Sequence, residues 1–306
     1  MSFDKLQERI DALQNPTVAG LDPTLDYVPP RMLQKHIAAM GETLEAAAAA
    51  YYEYNVGLID ALCDIVPSVK PQSAYYERLG HEGVKALAKT IDYAKSKGMY
   101  VICDVKRSDI GSTATAYSEA YLGSVKIGSR EIAPFDVDAV TVNAYLGSDG
   151  VMPFVETAKR QDKAMFVLVK TSNASAAELQ DLYIGERRLS TVVGDLMAEI
   201  SRDTIGACGF SRVGAVVGAT YPEDMKYLRA RLASTFFLVP GYGAQGGTAK
   251  DAANAFDKDG RGAIINSSRA IIAAWQKTGN GGADFAEAAR AEALRMRDDL
   301  RTAIWR

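Results

Sequence analysis

Asp104, Lys106 and Asp109 fall in the stretch Asp-Val-Lys-Arg-Ser-Asp-Ile-Gly-Ser-Thr, directly behind the apolar run 99–103. If that run is a strand, Asp104 and Lys106 lie on one face, because side chains two apart on a strand point the same way. Acid, base and acid crowded at a strand's end lose hydration, which costs stability. Chains tolerate such crowding for acid–base or electrostatic chemistry. A structural ion pair capping the strand also fits these residues.

The rest of the chain must supply the frame. Its 306 residues fit one large domain or two small ones. With 48% apolar and 24% charged residues it has the make-up of a soluble enzyme. A net charge of −3 argues against nucleic acid as the main partner. Cys63, Cys103 and Cys208 lie far apart in apolar or small-residue surroundings, as reduced core cysteines of a cytoplasmic protein would. With His36 and His81 as the only histidines, a histidine metal site or a Ser/His triad is disfavoured. The N-terminus is charged from its fourth residue and does not read as a signal peptide. No apolar run is long enough to span a membrane.

Short Val/Ile-rich runs recur at 17–21, 65–69, 99–103, 139–142, 165–169, 213–217, 236–239 and 263–265. They lack strict alternation, as strands buried on both faces do. Helical patterns lie between them, for example at 32–64, 83–97, 112–123, 222–232, 249–257 and 284–304. Such alternation predicts an α/β fold of the (β/α)8 type, one barrel domain over 1–306, with extra helices at 174–212 after strand 5. In these barrels chemistry sits where strands end. Here the ends carry Asp22, Lys70, Asp104 and Lys106, Asn143, the run Lys170-Thr171-Ser172-Asn173, Pro240 and Gly241, and Asn266-Ser267-Ser268-Arg269.

The last two ends suggest a phosphate site. The loop after strand 7 holds glycines at 241, 243, 246 and 247, which can turn N–H groups towards an anion. Ser268 and Arg269 can open a helix and add a guanidinium. A flexible turn and a surface arginine would look the same.

Together these residues resemble the orotidine 5′-phosphate decarboxylase family, in its longer bacterial form. The likeness runs through Gly20-Leu21-Asp22-Pro23, Val69-Lys70-Pro71-Gln72, the 104–113 segment, Lys170-Thr171-Ser172-Asn173, 240–247 and Ser268-Arg269. The pattern Asp-x-Lys-x-x-Asp-Ile-x-x-Thr, joined to a lysine after strand 2, is its most specific part. The resemblance implies decarboxylation of orotidine 5′-monophosphate to uridine 5′-monophosphate without metal or organic cofactor. It implies a charge network of Lys70, Asp104, Lys106 and Asp109, with Lys106 protonating the C6 carbanion. It implies a homodimer in which Asp109, Ile110 and Thr113 serve the neighbouring subunit's site. Asp22 would bind ribose hydroxyls and Ser172 the pyrimidine edge. Gln245, Arg269 and backbone of the 241–247 loop, beside Pro240 and Gly241, would bind phosphate. Two departures stand out, Pro71 after Lys70 and Ser268 before Arg269, where shorter members more often have glycine.

Two rivals remain at this level. Sugar-phosphate enzymes on the same barrel, such as 3-keto-gulonate-6-phosphate decarboxylase and hexulose-phosphate synthase, share Asp-x-Lys-x-x-Asp. They use magnesium and a glutamate after strand 2, where this chain has Lys70. The other rival is a catalytically inert barrel that only binds nucleotides; a pure binder gains nothing from crowded lysines and aspartates.

Overall fold

Eight parallel strands close on themselves in chain order in the computed structural model, which describes residues 2–243 and 246–305. Numbered around the barrel they are β1 (Thr17–Leu21), β2 (Ser68–Pro71), β3 (Tyr100–Arg107), β4 (Ala139–Val142), β5 (Ala164–Lys170), β6 (Val213–Val217), β7 (Phe237–Val239) and β8 (Ala263–Ser267). The expected (β/α)8 architecture is therefore observed. No described helix is long and apolar enough to cross a membrane.

The barrel interior follows the two-residue period of strands. Val18, Ile102, Ala139, Phe166, Phe236 and Ile264 form an inner apolar layer. The helix Ser2–Leu13 closes the lower mouth by inserting Phe3, Leu6 and Ile10 into this layer. The Phe3 ring lies 4.9 Å from both Phe166 and Phe236. Burying each such side chain contributes about 1.5–3 kcal/mol. Two residues further along the strands, the inward positions become Asp104, Thr141, Leu168, Leu238 and Asn266. One end of the barrel is thus sealed with hydrocarbon, while the strands' C-terminal end carries polar groups.

Strand β3 breaks its regular ladder near its C-terminal end. Cys103 pairs with Val140 and Arg107 with Val142, so four steps along β3 oppose two along β4. Inside this bulge Lys106 takes a left-handed φ of 45°. For a residue with a Cβ that conformation costs on the order of 1–3 kcal/mol. Alternation alone does not put Lys106 beside Asp104; the bulge does.

Several elements differ from the sequence expectation. The pattern 32–64 is two helices, Pro30–Met40 and Leu44–Leu62, separated at Gly41 with φ 73°. Strand β2 starts at Ser68, because the N–H groups of Ile65 and Val66 bond back to Leu62 O and finish the preceding helix. The helix expected over 249–257 is only Ala249–Ala253, opened by reciprocal hydrogen bonds between Thr248 and Asp251. An unforeseen hairpin pairs Val125–Ile127 with Arg130–Ile132. The 174–212 segment contains the helix Leu189–Ile200, shorter turns and a second small hairpin, Tyr183–Ile184 with Arg187–Arg188.

Candidate active site

A cavity of about 660 Å³ opens at the strands' C-terminal ends. Asp22, Lys70, Asp104, Lys106, Ser172, Pro240, Gly241 and Arg269 all line it. Seven separate strand ends or following loops supply these groups and Thr141.

Asp104 is the hub. Its Oδ2 accepts from Lys70 Nζ at 2.8 Å, and its Oδ1 accepts from Lys106 Nζ at 2.6 Å and from Thr141 Oγ1 at 2.7 Å. Asp104 and Lys70 are 6% and 4% exposed, so neither has bulk water to hydrate it. Burial alone would favour the neutral carboxyl, yet Lys70 and Lys106 hold Asp104 well below the usual carboxylate range. Burial would likewise favour a neutral amine at Lys70; Asp104 and Asp22 outweigh it and raise its affinity for a proton. The carboxylate and the Lys70 ammonium therefore persist as ions across the neutral range. The Lys106 ammonium stands at the cavity wall on the same carboxylate, where it can face an anionic ligand.

Thr141 is the residue the sequence reading missed here. Besides donating to Asp104, its hydroxyl oxygen accepts from the backbone N–H groups of Val105 and Lys106 at 3.0 and 2.9 Å. It thereby satisfies the bulged backbone and holds the strained turn that returns Lys106 to Asp104. One signal was available: Thr141 is the single polar residue in Ala-Val-Thr-Val, two after inward-facing Ala139.

The other end of the cavity contains Gly241, Ser268, Arg269 and Ala270. Arg269 is exposed and has no ion-pair partner among the described residues. It begins a helix of four residues, Arg269–Ile272. So short a helix has little dipole, and the guanidinium is the main attraction for an anion. The bend before it depends on Gly20, where a Cβ would stand 1.8 Å from Ser268 Oγ. The glycine loop corrects one expectation. The N–H groups of Gly243, Gly246 and Gly247 bond within the loop, to Gly247 O, Gly243 O and Gly241 O. These N–H groups are not turned towards the cavity as donors. Tyr242 fastens the loop's start to the C-terminal helix Phe285–Ile304 by donating to Asp299 Oδ2 at 2.6 Å. Burial and Asp299 push the Tyr242 phenol up to about 12, so it stays a donor throughout the neutral range.

Two buried acceptors, Asp22 Oδ1 and Asn266 Oδ1, lack a hydrogen-bond partner among the described residues. Both belong to cavity-lining residues, where ligand hydroxyls or N–H groups can satisfy them.

The structure does not bring every expected residue into this cavity. Asp109, Ile110 and Thr113 are absent from its walls. Asp109 Oδ1 instead accepts from its own neighbour's N–H, Ile110 N, at 2.8 Å. Ile110 is 52% exposed, and Thr113 is exposed as well. Gln245 lies outside the described residues. Tyr27, Tyr75 and Gln180 line the cavity without having been expected there.

Fold and cavity define a (β/α)8 barrel with an ammonium–carboxylate array at its mouth, in place of a nucleophile–histidine pair. Residues 32–281 match the model of the Orotidine 5′-phosphate decarboxylase / HUMPS family, and the chain belongs to that family. Among similar proteins, the orotidine 5′-phosphate decarboxylase of Rhodopirellula baltica is 42% identical over 289 residues, covering 93% of this chain and 94% of its own. That of Caldicellulosiruptor saccharolyticus is 38% identical over 301 residues, with 98% of both chains covered. The solved OMP decarboxylase of Leishmania donovani is 32% identical with a TM-score of 0.70, covering 97% of this chain and 98% of that one.

Proposed function

We propose that the chain decarboxylates orotidine 5′-monophosphate to uridine 5′-monophosphate, a step of pyrimidine nucleotide synthesis, with Lys106 as the proton donor. The observation that carries this reading is Asp104 held between Lys70 and Lys106 in a cavity that ends at Arg269. Loss of CO2 leaves a carbanion at C6 whose lone pair lies in the ring plane and cannot spread into a carbonyl. A fixed ammonium stabilises that charge as it grows and then protonates it. Side-chain electrostatics suffice for this, with no metal or organic cofactor. Lys70 and Thr141 hold Asp104, and Asp104 holds Lys106; a mobile ammonium would lose its advantage to water. Asp104 faces the substrate carboxylate, and most of the rate effect is assigned to preorganised charge rather than ground-state repulsion. The magnesium-dependent alternative needs a carboxylate where β2 ends. Lys70 occupies that place and pairs with Asp104 at 2.8 Å.

Ribose hydroxyls satisfy Asp22, the pyrimidine edge meets Ser172, and the phosphate meets Arg269 and the backbone N–H of Gly241, beside Pro240. The protein acts as a cytoplasmic homodimer, one barrel domain per subunit, in which Asp109, Ile110 and Thr113 complete the neighbouring subunit's site. Support for this comes from the surface around Asp109. Its carbonyl packs against Gly150, where a Cβ would stand 2.9 Å from it, and Ile110, Tyr145 and Leu146 are 52%, 79% and 46% exposed.

Arg269→Ala tests the substrate assignment. With orotidine 5′-monophosphate, kcat/KM falls roughly 10²- to 10³-fold, about 3–4 kcal/mol, the scale of a lost charged hydrogen-bond pair. Thermal stability stays near that of the unaltered protein because Arg269 is exposed. A loss below about 1 kcal/mol in steady-state assays removes the phosphate assignment.

A further inference from the structure

The chain between β5 and the helix Leu189–Ile200 meets the cavity at Gln180. Gln180 grips Thr171 twice. Its side-chain oxygen accepts from Thr171 N at 2.8 Å, and its amide donates to Thr171 Oγ1 at 2.7 Å. Thr171 Oγ1 in turn donates to Asn173 Oδ1 at 2.6 Å. Both neighbours of Ser172 are thereby fixed. Ser172 itself packs so closely on Gly218 that a Cβ there would lie 2.8 Å from Ser172 Cβ. Its hydroxyl has no protein partner among the described residues.

Gln180 is in turn fixed by the residue after it. Asp181 Oδ1 lies 2.5 Å from the ammonium of Lys170, which is fully buried at the end of β5. Asp224 Oδ2 stands 3.5 Å from the same ammonium, and the Tyr221 ring centroid 4.3 Å from it. Arg188 completes the cluster, 2.5 Å from Asp224 and 3.6 Å from Asp181. Two cations thus balance two carboxylates. Pulling Asp181 away would strand a buried ammonium, which is strongly unfavourable. The position of Gln180 is therefore set by the barrel and not by a floppy loop.

We propose that Gln180 is a positioning residue for pyrimidine specificity: it holds the 171–173 segment so that Ser172 meets the N–H and carbonyl edge of the substrate ring. The proposal rests on the function proposed above and assigns a role to the 174–212 segment. A misplaced Ser172 hydroxyl discriminates less well between a ring edge that presents N–H and carbonyl and one that presents amino and bare nitrogen. The ribose and phosphate contacts do not pass through Gln180.

The test compares three competitive inhibitors, uridine 5′-monophosphate, cytidine 5′-monophosphate and ribose 5-phosphate, on the unaltered chain, Gln180→Ala and Ser172→Ala. In Gln180→Ala the preference for the uridine over the cytidine nucleotide falls about tenfold, one hydrogen bond's worth. Ribose 5-phosphate inhibition changes less than twofold, and Ser172→Ala loses the same preference. Equal weakening of all three ligands with a lowered Tm means a general structural role and overturns the proposal. A preference lost in Ser172→Ala but kept in Gln180→Ala overturns it while leaving the Ser172 assignment standing. A preference kept in both overturns the Ser172 assignment and the proposal together. Failure of the unaltered chain to bind uridine 5′-monophosphate overturns the function on which both rest.

Discussion

Lys106→Ala lowers kcat on orotidine 5′-monophosphate by roughly 10⁴- to 10⁶-fold while KM changes far less. The estimate combines about 10²–10⁴ for a positioned general acid with about 10²–10³ for a preorganised charge at the reacting centre. Both contributions are realised as C6 becomes a carbanion, so they appear in kcat rather than in substrate binding. Lys106→Arg does not rescue: a guanidinium keeps the charge but does not give up its proton, and its planar fork does not fit a site shaped for one ammonium. The folded protein should tolerate both substitutions. The Lys106 side chain is 46% exposed, and Lys70 and Thr141 still satisfy Asp104. Removing Lys106 also leaves its left-handed backbone to alanine, which pays a comparable conformational penalty. Steady-state kinetics together with a thermal melt check this. A kcat loss below about 100-fold, with the fold intact, would show that Lys106 is neither the proton donor nor the main stabilising charge.

Mixing Lys106→Ala with Asp109→Ala protein under conditions that exchange subunits restores activity that neither variant has alone. In a hybrid dimer one site pairs an intact Lys106 with the partner subunit's intact Asp109, while the other site lacks both. At equal mixing about half the dimers are hybrids with one working site in two, so activity returns to roughly a quarter of the unaltered level. Each parent alone lies orders of magnitude lower. The prediction follows from where the two residues sit: Lys106 lines the cavity of its own chain and Asp109 does not. Activity equal to the average of the two parents would mean that Asp109 acts within its own chain or not at all.

The charged wall of the cavity was legible in the sequence because an ionisable residue stands out behind an apolar run. Asp22, Lys70, Asp104, Lys106 and Arg269 are conspicuous after apolar runs, and all of them line one cavity. Their exact disposition was less legible. Two-residue alternation accounts for Asp104, but Lys106 reaches it through a bulge that no local pattern announces. Thr141 reads as an ordinary strand threonine until the 2.7 Å bond to Asp104 is seen. Gln180 was illegible for a different reason. Its importance lies in contacts with Thr171, nine residues away, and in the charge cluster formed by Lys170, Arg188 and Asp224. The glycine loop misled in one respect, since its composition announces available N–H groups that the fold uses internally. The hairpin Val125–Ile127 with Arg130–Ile132 went unseen because its strands are three residues long and exposed, so they carry no burial pattern.

The proposed reaction needs side-chain electrostatics alone to remove CO2 from orotidine 5′-monophosphate in this cavity. The most direct measurement incubates the purified chain with that nucleotide in excess EDTA and follows loss of the orotate absorbance. The expected result is complete conversion to uridine 5′-monophosphate at a rate unchanged by the chelator. No turnover, or turnover restored only by added magnesium, would contradict it.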